Sequence, residues 1–264
     1  MSRITVIGKN SFLARHLAEF YPAWRFLDHK KALSETNWVR ASDVVINCAF
    51  HPDLRHDAYS PLKDIDFLLA GYVLNSDAHY IMLSSRAVYG NAPEDLYLRE
   101  DMNPDPINAY GHNKLASEQA LAELLPPERL TILRSGNIFG FEYGRSTFFG
   151  LMMTSLKDKG VLRFNIAPTA VRDFLSARKW AEYVGAIAKN PQGGIYNLGA
   201  GFGITTQEIA DLFIKHYGSC EIEYTGDSYE GQFILDMSKT RTAFSLDNYT
   251  KSNLEADICL VVKK

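Results

Sequence analysis

The feature that most constrains the fold is a repeated alternation of short apolar runs and helical patterns along residues 1–140. The runs expected to form strands are residues 4–7, 24–28, 43–49, 80–85 and 130–134. Helical periodicity is expected at residues 12–20, 62–74 and 110–125. Residues 43–49 (DVVINCA) are largely apolar, as in a parallel strand that is buried on both faces. The alternation predicts an α/β fold: a doubly wound, Rossmann-type parallel sheet with right-handed crossovers.

After residue 140 the alternation breaks up into shorter elements. Helices are expected at residues 146–157, 180–188 and 238–244 and from residue 205 onward, and strands at residues 162–164, 194–199, 221–224 and 233–235. Thr205 and Glu208 have the spacing of a helix capping box. We therefore expect a main domain at residues 1–145 and a small α/β lobe at residues 146–264. The lobe should be interwoven with the sheet as one compact unit.

Composition and charge narrow the class of protein. The 264 residues are 46% hydrophobic and carry a net charge of -3, which argues against general nucleic-acid binding. No run reaches the ~18 apolar residues that a membrane helix needs. The first strand begins at residue 4, so we expect no signal peptide. The three cysteines, Cys48, Cys220 and Cys259, are far apart. They predict reduced thiols in the cytoplasm rather than disulfides or a metal site, with Cys48 as a small core residue.

The turn after the first strand is where such a sheet would bind a dinucleotide. Small residues there let the backbone approach a pyrophosphate at the helix N-terminus. This chain has Gly8, Ser11 and Ala14 at three-residue intervals, and only the first of them is glycine. The segment is equally consistent with an ordinary strand–helix turn that binds no ligand.

Charged residues near the end of the second strand bear on which dinucleotide would bind. Asp28 lies 20 residues after Gly8, where an acid would bind the adenosine ribose hydroxyls of NAD. Lys30 and Lys31 follow it, and their positive charge would suit the 2′-phosphate of NADP. The two signals oppose each other, and the lysines are equally explained as solvated loop charges.

Tyr110 and Lys114 are four residues apart in an expected helix and so share one of its faces. An ammonium group beside a phenol stabilises the phenolate, which makes the phenol a usable acid or base near neutral pH. Ser84 and Ser85 end a strand at the carboxyl edge of the sheet, where ligands bind in open α/β folds. By itself, the spacing favours an amphipathic helix with Tyr110 at the edge of the core and Lys114 in water.

Four segments change this interpretation because of their order along the chain. They are residues 84–90 (SSRAVYG), 108–114 (NAYGHNK), 133–140 (LRSGNIFG) and 172–174 (RDF). In this order they resemble the extended short-chain dehydrogenases/reductases, the group of sugar-nucleotide epimerases, dehydratases and reductases. The resemblance implies a proton-transfer centre of Ser85, Tyr110 and Lys114. It also implies that Ser85, and not Ser84, carries the catalytic hydroxyl.

The same resemblance implies the ligands, NAD or NADP and a nucleotide-linked sugar. The residues expected to hold the cofactor are Gly8, Ser11, Ala14, Asp28, Lys30, Lys31, Ala49, Tyr110 and Lys114. Asn137 and Arg172 would hold the substrate diphosphate, and Ser85 the reacting oxygen. No nucleic acid, membrane or metal is expected as a partner, and a homodimer is common in the family.

Departures from the family pattern bear on the reaction. Arg86 and Ala87 stand where a dehydratase has an acid pair, which argues against dehydration. Asp66 stands where asparagine is frequent, so a proton-relay role is not assigned to it. Arg178 and Lys179 stand where acids usually follow the arginine motif.

Three functions stay open on the sequence. The short chain and the lysines near the ribose position favour an NADP(H)-dependent reductase of a keto-sugar nucleotide. Asp28 favours the alternative, an epimerase with tightly bound NAD. A non-catalytic dinucleotide-binding sensor would suit the turn that has lost two glycines. A sensor would have no need for Ser85, Tyr110 and Lys114.

Overall fold

The computed structural model describes residues 2–141, 143–145, 147–218 and 220–263. The first elements along the chain are β1 (Ile4–Ile7), α1 (Phe12–Phe20), β2 (Arg25–Leu27), α2 (His29–Ser34), β3 (Val44–Asn47), α3 (Ile65–Val73), β4 (His79–Ser85), β5 (Tyr97–Leu98), α4 (Ala109–Leu124), β6 (Leu130–Ser135) and β7 (Asn137–Phe139). The later ones are α5 (Phe148–Lys159), β8 (Val161–Phe164), β9 (Val171–Arg172), β10 (Phe174–Ser176), α6 (Ala177–Lys189), β11 (Gly194–Leu198), β12 (Ile204–Thr205), α7 (Thr206–Tyr217), β13 (Glu221–Tyr224), β14 (Ile234–Leu235), α8 (Ser238–Phe244) and α9 (Lys251–Val262).

Six of these strands form one parallel sheet in the order β2–β1–β3–β4–β6–β11. The prediction of an α/β fold with a Rossmann-type parallel sheet is confirmed. Since β2 and β3 lie on opposite sides of β1, the direction of the connections reverses at β1. Open α/β sheets bind ligands beyond the carboxyl ends of strands at such a switch point. The fold thus directs attention to the ends of β1 and β3.

The core lies on both faces of the sheet. Every residue of β1 and β3 is buried, as the apolar runs predict. Successive side chains face opposite sides of a strand. Val6 and Ile46 accordingly belong to the cluster that packs against α1 and α6, whereas Ile7 and Val45 belong to the cluster beneath α3. Cys48 directly follows β3, is partly buried and packs against the first of these clusters.

The second half of the chain contributes to the sheet and also builds short strand pairs beside it. Its strand β11 extends the sheet next to β6. The pairs β10–β7, β12–β9, β13–β8 and β14–β5 stand apart from the sheet. The capping box of Thr205 and Glu208 is present at α7. Helix α5 begins at Phe148, and Ser146, its predicted first residue, lies outside the described residues. The division at residues 145 and 146 stays a prediction.

Within the described part of the chain, no helix is both long enough and apolar enough to cross a membrane.

Candidate active site

A close contact between two segments brings Ser85 and Tyr110 together. Ser85 ends β4, and its hydroxyl accepts a hydrogen bond from the Ala87 N–H at 3.2 Å in the 3₁₀ turn Arg86–Tyr89. Tyr110 lies in the first turn of α4. A Cβ atom at Gly111 would lie 2.5 Å from the Ala87 carbonyl oxygen. Glycine at position 111 therefore allows α4 to begin directly against the turn that follows Ser85.

Lys114 lies beneath the same site, with only 5% of its side chain exposed. Its Nζ donates to the Leu83 carbonyl oxygen at 2.8 Å and lies 3.5 Å from Asp66 Oδ2. It is also 4.8 Å from the centroid of the Phe50 ring. Burial lowers the pKa of Lys114, but negative charge, that of Asp66 first, outweighs burial and the net pKa is raised. Lys114 is therefore a buried ammonium group that can stabilise a phenolate at Tyr110.

The two serines at the end of β4 have different partners. Ser84 is buried, and its hydroxyl donates to Glu118 Oε1. Arg134 binds the same carboxylate, with its Nη2 at 2.6 Å from Oε2. Both serines border the cleft that Tyr110 lines, but Ser85 is partly exposed, whereas the Ser84 hydroxyl is already bonded to Glu118. This difference supports Ser85 as the catalytic hydroxyl, which stays a prediction.

The cleft has a volume of about 210 Å³ and lies at the carboxyl ends of β3, β4 and β6. Among the residues that line it are Ala49, Ser85, Tyr110, Lys114 and Gly136. The structure therefore brings the three predicted catalytic residues to one cavity, at the switch point of the sheet.

Residues 51–61, which follow β3, are joined to α4 by hydrogen bonds. The Nδ2 of Asn113 donates to the carbonyl oxygens of two residues of this loop, at 2.8 Å each. Arg55 of the loop borders the cleft, with its guanidinium carbon 5.6 Å from the centroid of the Tyr110 ring. The loop thus brings a second cation to the phenol, a contact that the sequence pattern did not indicate.

The turn after β1 fits a nicotinamide dinucleotide in spite of its missing glycines. Gly8 has a φ of +88°, and a Cβ atom there would lie 2.8 Å from the Ala49 nitrogen. A glycine is therefore needed for the ends of β1 and β3 to approach this closely. Ser11 caps α1 by accepting from the Ala14 N–H at 3.2 Å, and Ala14 is fully buried. Small side chains thus preserve the close packing at positions 11 and 14.

The charged residues near the ribose position have local partners. Asp28 caps α2, with its Oδ1 accepting from the Lys30 N–H at 2.9 Å. Lys30 and Lys31 are exposed, and Lys31 lies 3.8 Å from Glu35. The side chains of Asp28 and Lys31 thus have partners within the protein and do not need a ligand to explain their positions. Their role toward the ribose or its phosphate stays a prediction.

The predicted substrate residues Asn137 and Arg172 lie beside the cleft and do not line it. Asn137 Nδ2 donates to the Asp173 carbonyl oxygen at 3.2 Å. The buried carboxylate of Asp173 accepts three backbone N–H groups at 2.7 to 3.2 Å. Burial raises the pKa of Asp173 to about 6 in spite of these bonds. Asp173 therefore holds the segment that carries Arg172 in place. The sequence motif did not indicate this structural role.

A buried polar network lies beneath the cleft, and the sequence pattern did not predict it. Asn47 donates to Asp66 Oδ1 at 2.8 Å and accepts from the Ala49 N–H at 2.9 Å. The Tyr80 hydroxyl donates to the same Asp66 oxygen at 3.0 Å. Burial raises the pKa of Asp66 to about 6, and the charge of Lys114 offsets it only in part. An isolated amide inside an apolar run is the signal that points to such a network.

Comparison with known families now identifies the chain. The family model described as the RmlD substrate binding domain matches residues 4–226. The chain belongs to this family. The match and the fold confirm the resemblance to the extended short-chain dehydrogenases/reductases, NAD(P)-dependent enzymes that act on nucleotide sugars. Homodimer formation and a cytoplasmic location stay predictions.

Several solved structures share the fold over nearly the whole chain. A UDP-N-acetylglucosamine 4-epimerase from Methanobrevibacter ruminantium M1 is 17% identical, with a TM-score of 0.83 and coverage of 99% of this chain and 97% of that chain. The NDP-hexosamine 5,6-dehydratase TunA is 18% identical, with a TM-score of 0.82 and coverage of 100% and 97%. RMD from Pseudomonas aeruginosa is 19% identical, with a TM-score of 0.79 and coverage of 100% and 98%. At these identities the likeness establishes the fold.

Proposed function

We propose that this protein catalyses the NAD(P)H-dependent reduction of a keto group on a nucleotide-linked sugar. The observation that carries the proposal is that Ser85, Tyr110 and Lys114 border one cleft beside the Gly8–Ala49 contact. A hydroxyl, a phenol and a buried ammonium group together can deliver a proton to a ketone oxygen. Similar structures contain NADPH or a UDP-linked sugar, which supports this pairing of ligands.

Each residue has a defined task in this proposal. NAD(P)H supplies the hydride when it is bound. Tyr110 donates a proton to the sugar oxygen, and Lys114 stabilises the phenolate that remains. Ser85 donates a hydrogen bond to the same oxygen. Arg172 holds the diphosphate by charge-assisted bonds, so that remote binding orients the sugar for reaction.

We further propose a preference for NADP(H). Lys30 and Lys31 lie in the first turn of α2, directly after the ribose position, and both are exposed. Two ammonium groups there would favour a 2′-phosphate. The Asp28 carboxylate acts against this preference, although its bond to the Lys30 N–H engages one of its oxygens.

A second candidate function is an epimerase with tightly held NAD. Asp28 favours it, because an acid at this position can accept both ribose hydroxyls of NAD. One of the similar structures is a UDP-N-acetylglucosamine 4-epimerase.

Identification of the dinucleotide separates the two candidates. Purified protein would be denatured and the released nucleotide identified and counted. We expect little retained nucleotide, followed by NADPH oxidation when keto-sugar nucleotides are screened by absorbance. Stoichiometric NAD, with interconversion of two sugar nucleotides and no net NADPH oxidation, would instead establish the epimerase.

The proton donor is tested by Tyr110→Phe. We expect turnover to fall by about 10² to 10⁴-fold, the range for loss of a general acid, while dinucleotide affinity is retained. Tyr72→Phe is the matched control, because the Tyr72 hydroxyl donates to the Leu33 carbonyl oxygen at 2.9 Å, away from the cleft. Unchanged turnover in Tyr110→Phe would refute the mechanism.

A further inference from the structure

Two arginines face each other beside the catalytic cleft. Arg86 directly follows Ser85 and is half-buried, as is Arg172 on β9. The Nη2 atoms of both arginines lie 3.3 Å from the position that a Cβ atom on Gly231 would take. The two nitrogens are therefore no further apart than twice that distance. Because Gly231 has no side chain, no Cβ atom occupies the position that both nitrogens approach.

Neither arginine forms an ion pair with a carboxylate of the described residues. Arg172 donates from Nη2 to the Glu230 carbonyl oxygen at 3.0 Å, and its buried Nε has no hydrogen-bond partner among those residues. Burial, together with the charge of Arg172, lowers the pKa of Arg86 to about 10, so both groups stay charged at neutral pH. An anion between them would offset the repulsion of two half-buried like charges.

The position of Arg86 is fixed by packing. Its guanidinium carbon lies 4.6 Å from the centroid of the Phe233 ring, and Phe233 is fully buried. Phe233 in turn lies against Gly136, with its Cε2 3.4 Å from the position of a Cβ atom there. Since Gly136 lines the cleft that contains Tyr110, the arginine pair is adjacent to the reacting centre. A stacked guanidinium loses less freedom when it binds a ligand.

We propose that Arg86 and Arg172 form a two-arginine clamp for the diphosphate of the nucleotide-linked substrate. The clamp rests on the proposed function and adds Arg86 as a second binding residue. A guanidinium group can hold one phosphate through two parallel hydrogen bonds. Two guanidinium groups whose Nη2 atoms approach one point suit two linked phosphates, whereas one would suffice for a carboxylate. Arg86 thus takes part in substrate selection from the position next to the catalytic serine.

Equilibrium binding to the full chain tests the clamp. UDP, dTDP and GDP would be titrated calorimetrically into the wild type, Arg86→Met, Arg172→Met and the double variant at low ionic strength. For the nucleotide that binds best, we expect each single variant to weaken binding by at least tenfold. The double variant should lose less than the product of the two effects, because both arginines hold one ligand.

Arg178→Met is the matched control, since Arg178 is exposed and its ion-pair partner among the described residues is Glu182, at 3.8 Å. It should bind as the wild type does, and thermal unfolding of every variant verifies folding. A second variant, Gly231→Ala, should also weaken binding, because it places a methyl group 3.3 Å from both Nη2 atoms at a backbone position with φ +70° that favours glycine.

Three results would overturn the clamp. One is wild-type affinity in Arg86→Met, and another is the absence of nucleoside diphosphate binding by the wild type. The third is weakened binding of UDP-glucuronic acid by Arg86→Met with unchanged binding of UDP, which would assign Arg86 to a sugar carboxylate. Hydride transfer is measured separately by NADPH absorbance. If the wild type binds a diphosphate through Arg86 but reduces no keto-sugar, the clamp stands and the proposed reaction fails.

Discussion

Helix α4 carries two buried ion pairs, one turn apart, that differ in geometry. Lys114 and Asp66 have side chains that are 5% and 3% exposed, and Glu118 and Arg134 are 4% and 3% exposed. Burial is therefore nearly the same. The closest nitrogen–oxygen distance is 3.5 Å in the first pair and 2.6 Å in the second. In the second pair, Arg134 donates to both oxygens of Glu118.

The difference supports a structural role for the Glu118–Arg134 pair, called the structural pair below, and the proposed catalytic role for the Lys114–Asp66 pair, called the functional pair. Glu118 is held by Arg134 and Ser84 and joins α4 to β4 and β6. The ammonium group of Lys114 is instead shared among a backbone carbonyl, the Phe50 ring and Asp66. It also borders the cleft. A loosely held charge at the cleft can respond to a ligand, whereas the Glu118 carboxylate, held by Arg134 and Ser84, fixes the fold.

The largest effect is expected from breaking the functional pair with Lys114→Met. Turnover should fall by about 10³-fold, within the range for a group that supports acid–base catalysis. Stability should change little, because Asp66, with a pKa already raised to about 6, can become neutral. Turnover would be compared with urea unfolding at pH 7. A severe loss of stability with turnover preserved would reverse the assignment of the two pairs.

Arg134→Met breaks the structural pair and should lower stability while leaving turnover nearly unchanged. It leaves Glu118 in the core without its arginine, and loss of one partner of a buried ion pair typically costs about 3–5 kcal/mol of folding free energy. Turnover per folded molecule should stay near the wild-type value. Exposed Arg163, which pairs with Glu223 at the surface, provides the control Arg163→Met. The control should unfold within about 1 kcal/mol of the wild type.

The adjacent serines repeat the comparison on a smaller scale. Ser84→Ala removes a hydrogen bond to Glu118 and should lower the free energy of unfolding by about 1–3 kcal/mol, with little change in turnover. Ser85→Ala should leave stability nearly unchanged and lower turnover by about 10²-fold, as for loss of a donor to a reacting oxygen. Denaturant unfolding and steady-state rates of both variants distinguish the roles. If Ser84→Ala lowered turnover and Ser85→Ala lowered only stability, the catalytic hydroxyl would be that of Ser84.

The smallest effect is expected from Asp66→Asn, which keeps the shape of the functional pair. The pKa of Asp66 is about 6 in the folded protein, above the ~3.9 of an exposed aspartate. The native state therefore binds more protons between about pH 4 and 6, and the stabilisation present at low pH is lost as the pH rises. Asp66→Asn lacks this titration, so its stability relative to the wild type should rise over that range and then level off. Urea unfolding at several pH values measures the difference, and a pH-independent difference would contradict the prediction.

The same variant should alter catalysis above pH 6. The negative charge of Asp66 partly cancels the effect of Lys114 on a phenolate at Tyr110, and asparagine would remove that cancellation. The pH at half-maximal activity should therefore move to a lower value.

The sequence predicted the features that depend on local pattern. The apolar runs predicted the central strands, and helix α4 spans Ala109–Leu124 where residues 110–125 were expected. The brief helix between β2 and β3 follows from the short segment available there. What the pattern could not supply are pairings between distant segments. Strand β5 is two residues long and exists by pairing with β14, more than a hundred residues later.

The candidate site shows the same division. Ser85, Tyr110 and Lys114 followed from motifs in order along the chain. The pairing of Asp66 with Lys114 depends on how α3 packs against α4, and the approach of Arg86 to Arg172 depends on the turn at Gly231. Helix α9 was not predicted, because its apolar positions acquire a clear face only when they pack against α7. Burial and partner choice at such positions are properties of the assembled fold.

The contact of Gly111 with Ala87 has a consequence for motion. Because α4 starts directly on the turn after Ser85, the phenol and the hydroxyl are carried by two segments in direct contact. Movements that admit substrate or release product commonly take microseconds to milliseconds in enzymes. Such movements can occur in the short strand pairs outside the sheet without changing this contact. Substitutions there can change the speed of release while the spacing between the reacting groups stays constant.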